Sequence, residues 1–339
     1  MKIKILSILI GLSSILMMSS CNTGTSGGSR LSGSTGSTYE LLVVTSPTIW
    51  EGEVGETVQN FFHQDDTTLL MVEPLYTTPQ ISMKQFEENI MFQYFKNILF
   101  IDIDPTREAS IETRDTIWAR PQRIFKIVAP DNASFDVIFD EYKDYMLERY
   151  IENEREKLNV YFQTALNKKV MQRVYEKFGC NMNITTGFYI AKDLDDFMWL
   201  RSETSKTSTN IMIYSEDYVK ESQLNPNYIV LKRNIITKEN IPASLPDSYA
   251  KISDYHPVSS KVVDLNGLYG IETRGAWDCS GDFMGGTFLN YTLIDEKNNK
   301  VLTVDGFIYA PSREKRVFMM QLEALFWSLH VDKMKNDKK

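Results

Sequence analysis

Cysteine and histidine are scarce in this chain, with three of each among 339 residues. His63, His256 and His330 show no HExxH and no pair at ligand spacing, and the cysteines form no CxxC, so neither a zinc site nor thiol redox chemistry is expected. GxSxG, SxxK and P-loop motifs are also missing, which leaves no recognised nucleophile, catalytic site or cofactor cradle. Gly281, Gly285 and Gly286 lack the spacing of a phosphate loop and read as a bulge or tight turn. Long apolar runs are absent as well. The longest, Ile5 to Met18, is broken by Ser7, Gly11, Ser13 and Ser14, and it falls short of the roughly 20 residues that a spanning helix needs. Cations are outnumbered, 37 Lys and Arg against 45 Asp and Glu, for a net charge of −8. Nucleic acid is therefore not an expected partner, and charge alone would not hold the chain to an anionic membrane surface.

What the N-terminus does contain is the pattern of an export signal: Lys2 and Lys4, a short apolar run, then Ser19 and Ser20 before Cys21. Met18-Ser19-Ser20-Cys21 resembles the bacterial lipobox, whose cysteine takes a diacylglyceryl group and becomes the new N-terminus. An ordinary secretory peptide with an incidental cysteine is the alternative. One acyl chain anchors a protein only marginally, and a lipidated Cys21 would carry more than one. From Asn22 to Thr38 the chain is almost wholly Gly, Ser and Thr, too poor in apolar surface to offset its conformational entropy, and reads as a tether. Asn22 is not the aspartate that favours inner-membrane retention, and no acidic cluster follows, so the expected location is the outer membrane, facing the periplasm.

Residues 39–165 and 166–333 read as two α+β domains. Strands are expected at 39–45, 69–76, 97–104 and 124–129, and helices at 55–62, 83–91 and about 133–159. The second half opens with a helix ended by Gly179, followed by strands within 187–193, 195–202 and 209–216. An irregular stretch from Asn225 to Ser260, a hairpin around Lys297-Asn298-Asn299 and a final helix with Phe318, Leu322, Leu325 and Leu329 on one face complete it. The fold class expected is α+β, with antiparallel-rich sheets covered by helices in two sandwich-like domains joined through a long central helix.

With Cys21 modified, Cys180 and Cys279 remain, and two readings stay open: a disulfide, or two buried small apolar residues. Asp102 and Asp104 end a strand; together with Asp278 and Asp282 they are the candidate carboxylates for a hydrolase acting on peptidoglycan or another envelope polymer. Arg274 and Trp277 lie in a glycine-flanked stretch that reads as a turn. They are either an interaction surface for an envelope protein or glycan, or a structural brace with Arg stacked on Trp.

The segments "TRGAWDCSGDFMGGTFLNYTLID", "VDGFIYAPSREKRVFMMQLEALFWSL" and "LLVVTSPTIWEGEVGETV" resemble a Bacteroidetes lipoprotein family catalogued as domain of unknown function 4837. Trp50-Glu51-Gly52, Thr273 to Trp277, Met284-Gly285-Gly286 and Asp305-Gly306-Phe307 carry the resemblance. It implies an envelope lipoprotein of a Gram-negative bacterium, and it brings no catalytic residues with it. The expectation for function is a non-enzymatic binding protein of the envelope.

Overall fold

A computed structural model describes residues 31–332; Cys21 and the export segment lie outside the described residues. The first sheet has five strands: β1 (Leu42–Val44), β2 (Gln80–Ile81), β3 (Asn97–Ile103), β4 (Ser110–Asp115) and β5 (Arg123–Ala129), in the order β2-β1-β3-β5-β4. Only the β4–β5 pairing is antiparallel. Strands β1, β3 and β5 are apolar at nearly every position because alternate residues feed two cores. Val43, Leu99, Ile101 and Phe125 pack under helix α1 (Glu53–Phe62) and the long helix α3 (Asn132–Phe162). Leu42, Val44, Ile98 and Phe100 pack on the other face with Phe86 of helix α2 (Met83–Glu88).

The second sheet has eight antiparallel strands: β6 (Tyr189–Leu194), β7 (Phe197–Glu203), β8 (Ser208–Asp217), β9 (Tyr249–Ile252), β10 (Ser259–Leu265), β11 (Leu268–Ser280), β12 (Gly285–Asp295) and β13 (Lys300–Tyr309). Their order is β9-β11-β12-β13-β8-β7-β6, and β10 lies along the same edge of β11 as β9. Helices α4 (Lys168–Phe178) and α6 (Arg316–Phe326) cover one face over a core that includes Leu200, Ile211, Tyr291 and Val304. The other face carries Trp199, Met212, Trp277, Phe288 and Phe307. The fold is α+β: a largely parallel small sheet and a wholly antiparallel large one.

Several stretches differ from expectation. Pro226–Asn240 is a helix, α5, where irregular chain was expected. Its start is well marked, with Asn225 accepting from Asn227 N at 2.9 Å and Pro226 at the first position. Its buried residues are Ile229, Arg233, Thr237 and Asn240, so no apolar stripe announces it. Arg233 is 1% exposed and binds Asp305 through two nitrogens, at 2.8 and 3.2 Å, with its guanidinium 4.0 Å from the Phe288 ring centre. Leu69 to Tyr76, expected as a strand, is a loop fastened to α6 instead. The buried Glu73 carboxylate accepts the Lys315 and Arg316 amides at 2.6 and 2.9 Å, satisfying free N–H groups at the helix N-terminus.

The tether expectation fails from Ser32 onward. Ser32 and Gly33 pair in parallel with Ala119 and Arg120, and Lys157 donates to the Ser34 carbonyl. Lys96 donates to the Gly36 carbonyl at 3.1 Å and forms a buried ion pair with Glu154 at 3.3 Å. A Gly/Ser/Thr segment with no apolar anchor is held here through its backbone carbonyls. Among the described residues no helix is long and apolar enough to cross a membrane.

Candidate functional site: a charged cavity beside Arg274

Arg274 and Trp277 both lie inside β11, where a turn was expected, and their side chains leave it on opposite faces. Neighbouring residues of a strand alternate in direction, so positions three apart point to opposite sides. The Arg-on-Trp brace is therefore ruled out by geometry. Trp277 is 3% exposed, meets Phe307 edge-on at 5.4 Å, and donates its indole N–H to the Ile308 carbonyl at 3.0 Å. Gly286, its cross-strand partner, makes room for this: a Cβ there would sit 2.0 Å from the Ile308 oxygen and 2.8 Å from the Trp277 nitrogen. Gly285 and Gly286 are thus strand residues under an indole, and only Gly281, with φ of 81°, serves the expected turn.

On the other face Arg274 joins a buried charge network. Its Nε donates to Glu272 at 2.6 Å and its Nη2 to Glu323 of α6 at 2.6 Å; the second oxygen of Glu323 pairs with Arg155 of α3 at 2.8 Å. The Arg155 guanidinium lies 3.9 Å from the Trp327 ring centre. Tyr291 donates to Glu272 at 2.7 Å and accepts from Trp327 Nε1 at 3.1 Å. Burial acts to discharge both Glu272 and Arg274, but their mutual attraction wins. The Glu272 carboxyl is held well below the usual range, and Arg274, with Glu323 also beside it, well above its own.

These groups form one wall of a cavity of about 680 Å³. Tyr39, Asp66 and Tyr76 from the N-terminal loops close it, with Asp144, Glu148 and Glu152 along α3 and Lys261 and Asp264 on β10. Three cations face seven carboxylates. Tyr76 is wholly buried and its hydroxyl has no hydrogen-bond partner among the described residues; burial, then Glu154, holds that hydroxyl far above its ordinary pKa. Of this set only Arg274 stood out in the sequence. Arg155, Glu272, Glu323 and Trp327 carry no local motif, because the site is assembled from segments up to 288 positions apart.

The remaining candidates are placed plainly by the structure. Among the described residues Cys180 and Cys279 are free thiols, so the reading of a disulfide between them is corrected. Cys180 is wholly buried in the core under α4 and α6, whereas Cys279 belongs to the core on the opposite face of the sheet. Burial pushes their thiols up to about 12 and about 11. Asp102 is exposed at the end of β3, and Asp104 closes a local turn by accepting Thr106 N and Oγ1 at 2.9 and 2.7 Å. Asp278 lies 3.8 Å from Lys251, and Asp282 accepts from Ser244 N at 3.1 Å. None of these four aspartates lines the cavity. His63 contacts the Thr78 hydroxyl at 2.7 Å, while His256 and His330 are exposed. Among the described residues no three His, Cys, Asp or Glu side chains are grouped to hold a metal ion.

Residues 167–328, which supply Glu272, Arg274, Glu323 and Trp327, match the family model described as a domain of unknown function, DUF4837. Residues 34–163, including Trp50-Glu51-Gly52 and all of α3, match a second one, DUF8532, also described as a domain of unknown function. No curated protein matches the chain. Among solved structures the Saccharomyces cerevisiae Ran-binding protein Mog1p is similar at 11% identity and a TM-score of 0.29, over 45% of this chain and 90% of that one. The cavity thus draws its walls from both matched segments, with Arg155 contributed by the DUF8532 stretch and Arg274 by the DUF4837 stretch.

Proposed function

We propose that this protein is a lipid-anchored binding protein of the bacterial cell envelope, fixed through Cys21 to the periplasmic face of the outer membrane. Its ligand or partner segment carries positive charge and enters the cavity beside Arg274. The observation that carries this reading is the composition of that cavity. Arg155 and Arg274 are already neutralised by Glu323 and Glu272, so the carboxylates of the mouth, Asp144, Glu148 and Asp264 among them, face an entering group as net negative charge. Trp327 and Tyr39 add the flat apolar surface that binding pockets use alongside a few placed polar groups. The hydrolase alternative finds no support, because Asp102, Asp104, Asp278 and Asp282 do not converge on the cavity.

Calorimetric titration of the soluble form beginning after Cys21 with spermine and with trilysine tests the site. Binding should weaken as salt rises, since the mouth charges are exposed to screening, and it should be lost in the Asp144→Lys, Glu148→Lys double variant. Equal heats for that variant, or none for the wild type, would overturn the cationic-ligand reading. Anchoring is tested separately: Cys21→Ala should move the protein from the membrane fraction to the soluble one, and a wild-type N-terminal peptide without lipid mass would refute it.

A further inference from the structure

The face of the large sheet that carries Trp277 has its own cavity, of about 670 Å³, where α5 ends at Asn240 and the chain turns away through Ile241-Pro242-Ala243. Its floor is aromatic and comes from three strands: Trp199 of β7, Phe307 of β13 and Trp277 of β11. Both indole N–H groups are used inside the protein, Trp199 donating to Asn210 Oδ1 at 3.1 Å and Trp277 to the Ile308 carbonyl at 3.0 Å. The floor therefore offers only ring surface. The rim is polar. Arg201 lies 4.9 Å from the Trp199 ring centre and is ion-paired with Glu203, yet its Nε is buried without an acceptor among the described residues. Lys206 and the half-buried Tyr309 stand beside that pair.

We propose that this second cavity binds a saccharide, independently of the cation site on the opposite face. A pyranose ring has one face of C–H groups and an equator of hydroxyls. The electron-rich faces of Trp and Tyr attract the slightly positive C–H groups, while an Arg–Glu pair supplies donors and acceptors at hydroxyl height. An acyl chain would leave the Arg201–Glu203 pair desolvated without compensation. A phosphate-rich ligand would meet only Lys206 as an uncompensated cation, because Glu203 already neutralises Arg201. A saccharide uses both the ring surface of the floor and the Arg201–Glu203 pair at the rim.

Saturation-transfer NMR on the soluble form, with maltotriose, cellotriose, mannotriose and N,N′,N″-triacetylchitotriose at millimolar concentration, reads the contact directly. Saturation is expected on the ring C–H protons of at least one of these sugars. Arg201→Met and Tyr309→Ala should weaken that sugar by roughly two- to tenfold, the range for one aromatic or hydrogen-bonding contact. Both variants should keep the wild-type trilysine titration, which shows that they are folded and that the other cavity is intact. No transfer to any of the four sugars, or unchanged transfer in both variants, would overturn the proposal while leaving the cation site standing.

Discussion

Because Arg274 and Trp277 leave β11 on opposite faces and lie about 10 Å apart along the strand, their removal should cost stability independently. Trp277→Ala deletes an indole that is 3% exposed and strips the Ile308 carbonyl of its donor. Truncations of this kind cost about 3–5 kcal/mol. Arg274→Met keeps the apolar stem but removes two hydrogen bonds of 2.6 Å to carboxylates whose side chains are each 5% exposed. Breaking a buried pair costs about 3–5 kcal/mol, and the lower end applies here, since Glu323 retains Arg155 and Glu272 retains Tyr291. Urea unfolding of the wild type, both single variants and the double variant gives the coupling energy. Sites with no shared partner add to within about 0.5 kcal/mol, so the double variant should lose about 6–8 kcal/mol if it remains folded. Where that loss is too large to measure, Trp277→Phe with Arg274→Met serves the same cycle. A coupling energy above about 1 kcal/mol would refute the opposite-face argument and restore the stacked brace.

Glu154 supplies a pH prediction. Burial pushes its carboxyl up to about 7 despite Lys96, Tyr39 N and Asn97, so the folded protein holds that proton more tightly than the unfolded chain does. Its contribution is fully present below the unfolded value near 4.5 and is lost as pH rises through 7, a fall of about 3 kcal/mol. Chemical unfolding between pH 4.5 and 8 should show this slope, and Glu154→Gln should flatten it; an unchanged slope in the variant would count against the assignment. Glu272 acts in the opposite sense, and below that window: its stabilisation is lost as pH falls under the usual carboxylate range. Cys180 and Cys279 should react with a thiol reagent only after denaturation, with no prior reduction needed; protection that persists in denaturant until a reductant is added would indicate a disulfide. Glu73→Ala should lower stability by about 1–2 kcal/mol through loss of the α6 cap, and hydrogen exchange at Lys315 and Arg316 should quicken; unchanged exchange there would disprove the capping role.

The export pattern, the α+β class and most helices and strands follow from local rules, because each depends on residues a few positions apart. Asp131 accepts from Ser134 N at 2.8 Å to open α3, Gly179 takes φ of 66° to close α4, and β3 and β5 read as continuous apolar runs since both their faces are buried. Helix α5 escaped those rules because what it buries is chiefly polar, and only the pairing of Arg233 with Asp305, 72 positions away, makes that face tolerable. The stretch from Ser32 to Thr38 looked free because its own side chains offer no apolar surface, yet Lys96 and Lys157 hold its carbonyls from distant segments. The site belongs to the same class of information. Arg274 and Trp277 are neighbours in sequence that the pleat of a strand sends to opposite cavities, while Arg155, Arg274 and Glu323 are strangers in sequence that the packing of α3 and α6 over β11 brings into hydrogen-bond contact. Local sequence determines which elements form and where they end. Which buried charges meet, and therefore what the cavities can bind, is decided only when the elements pack.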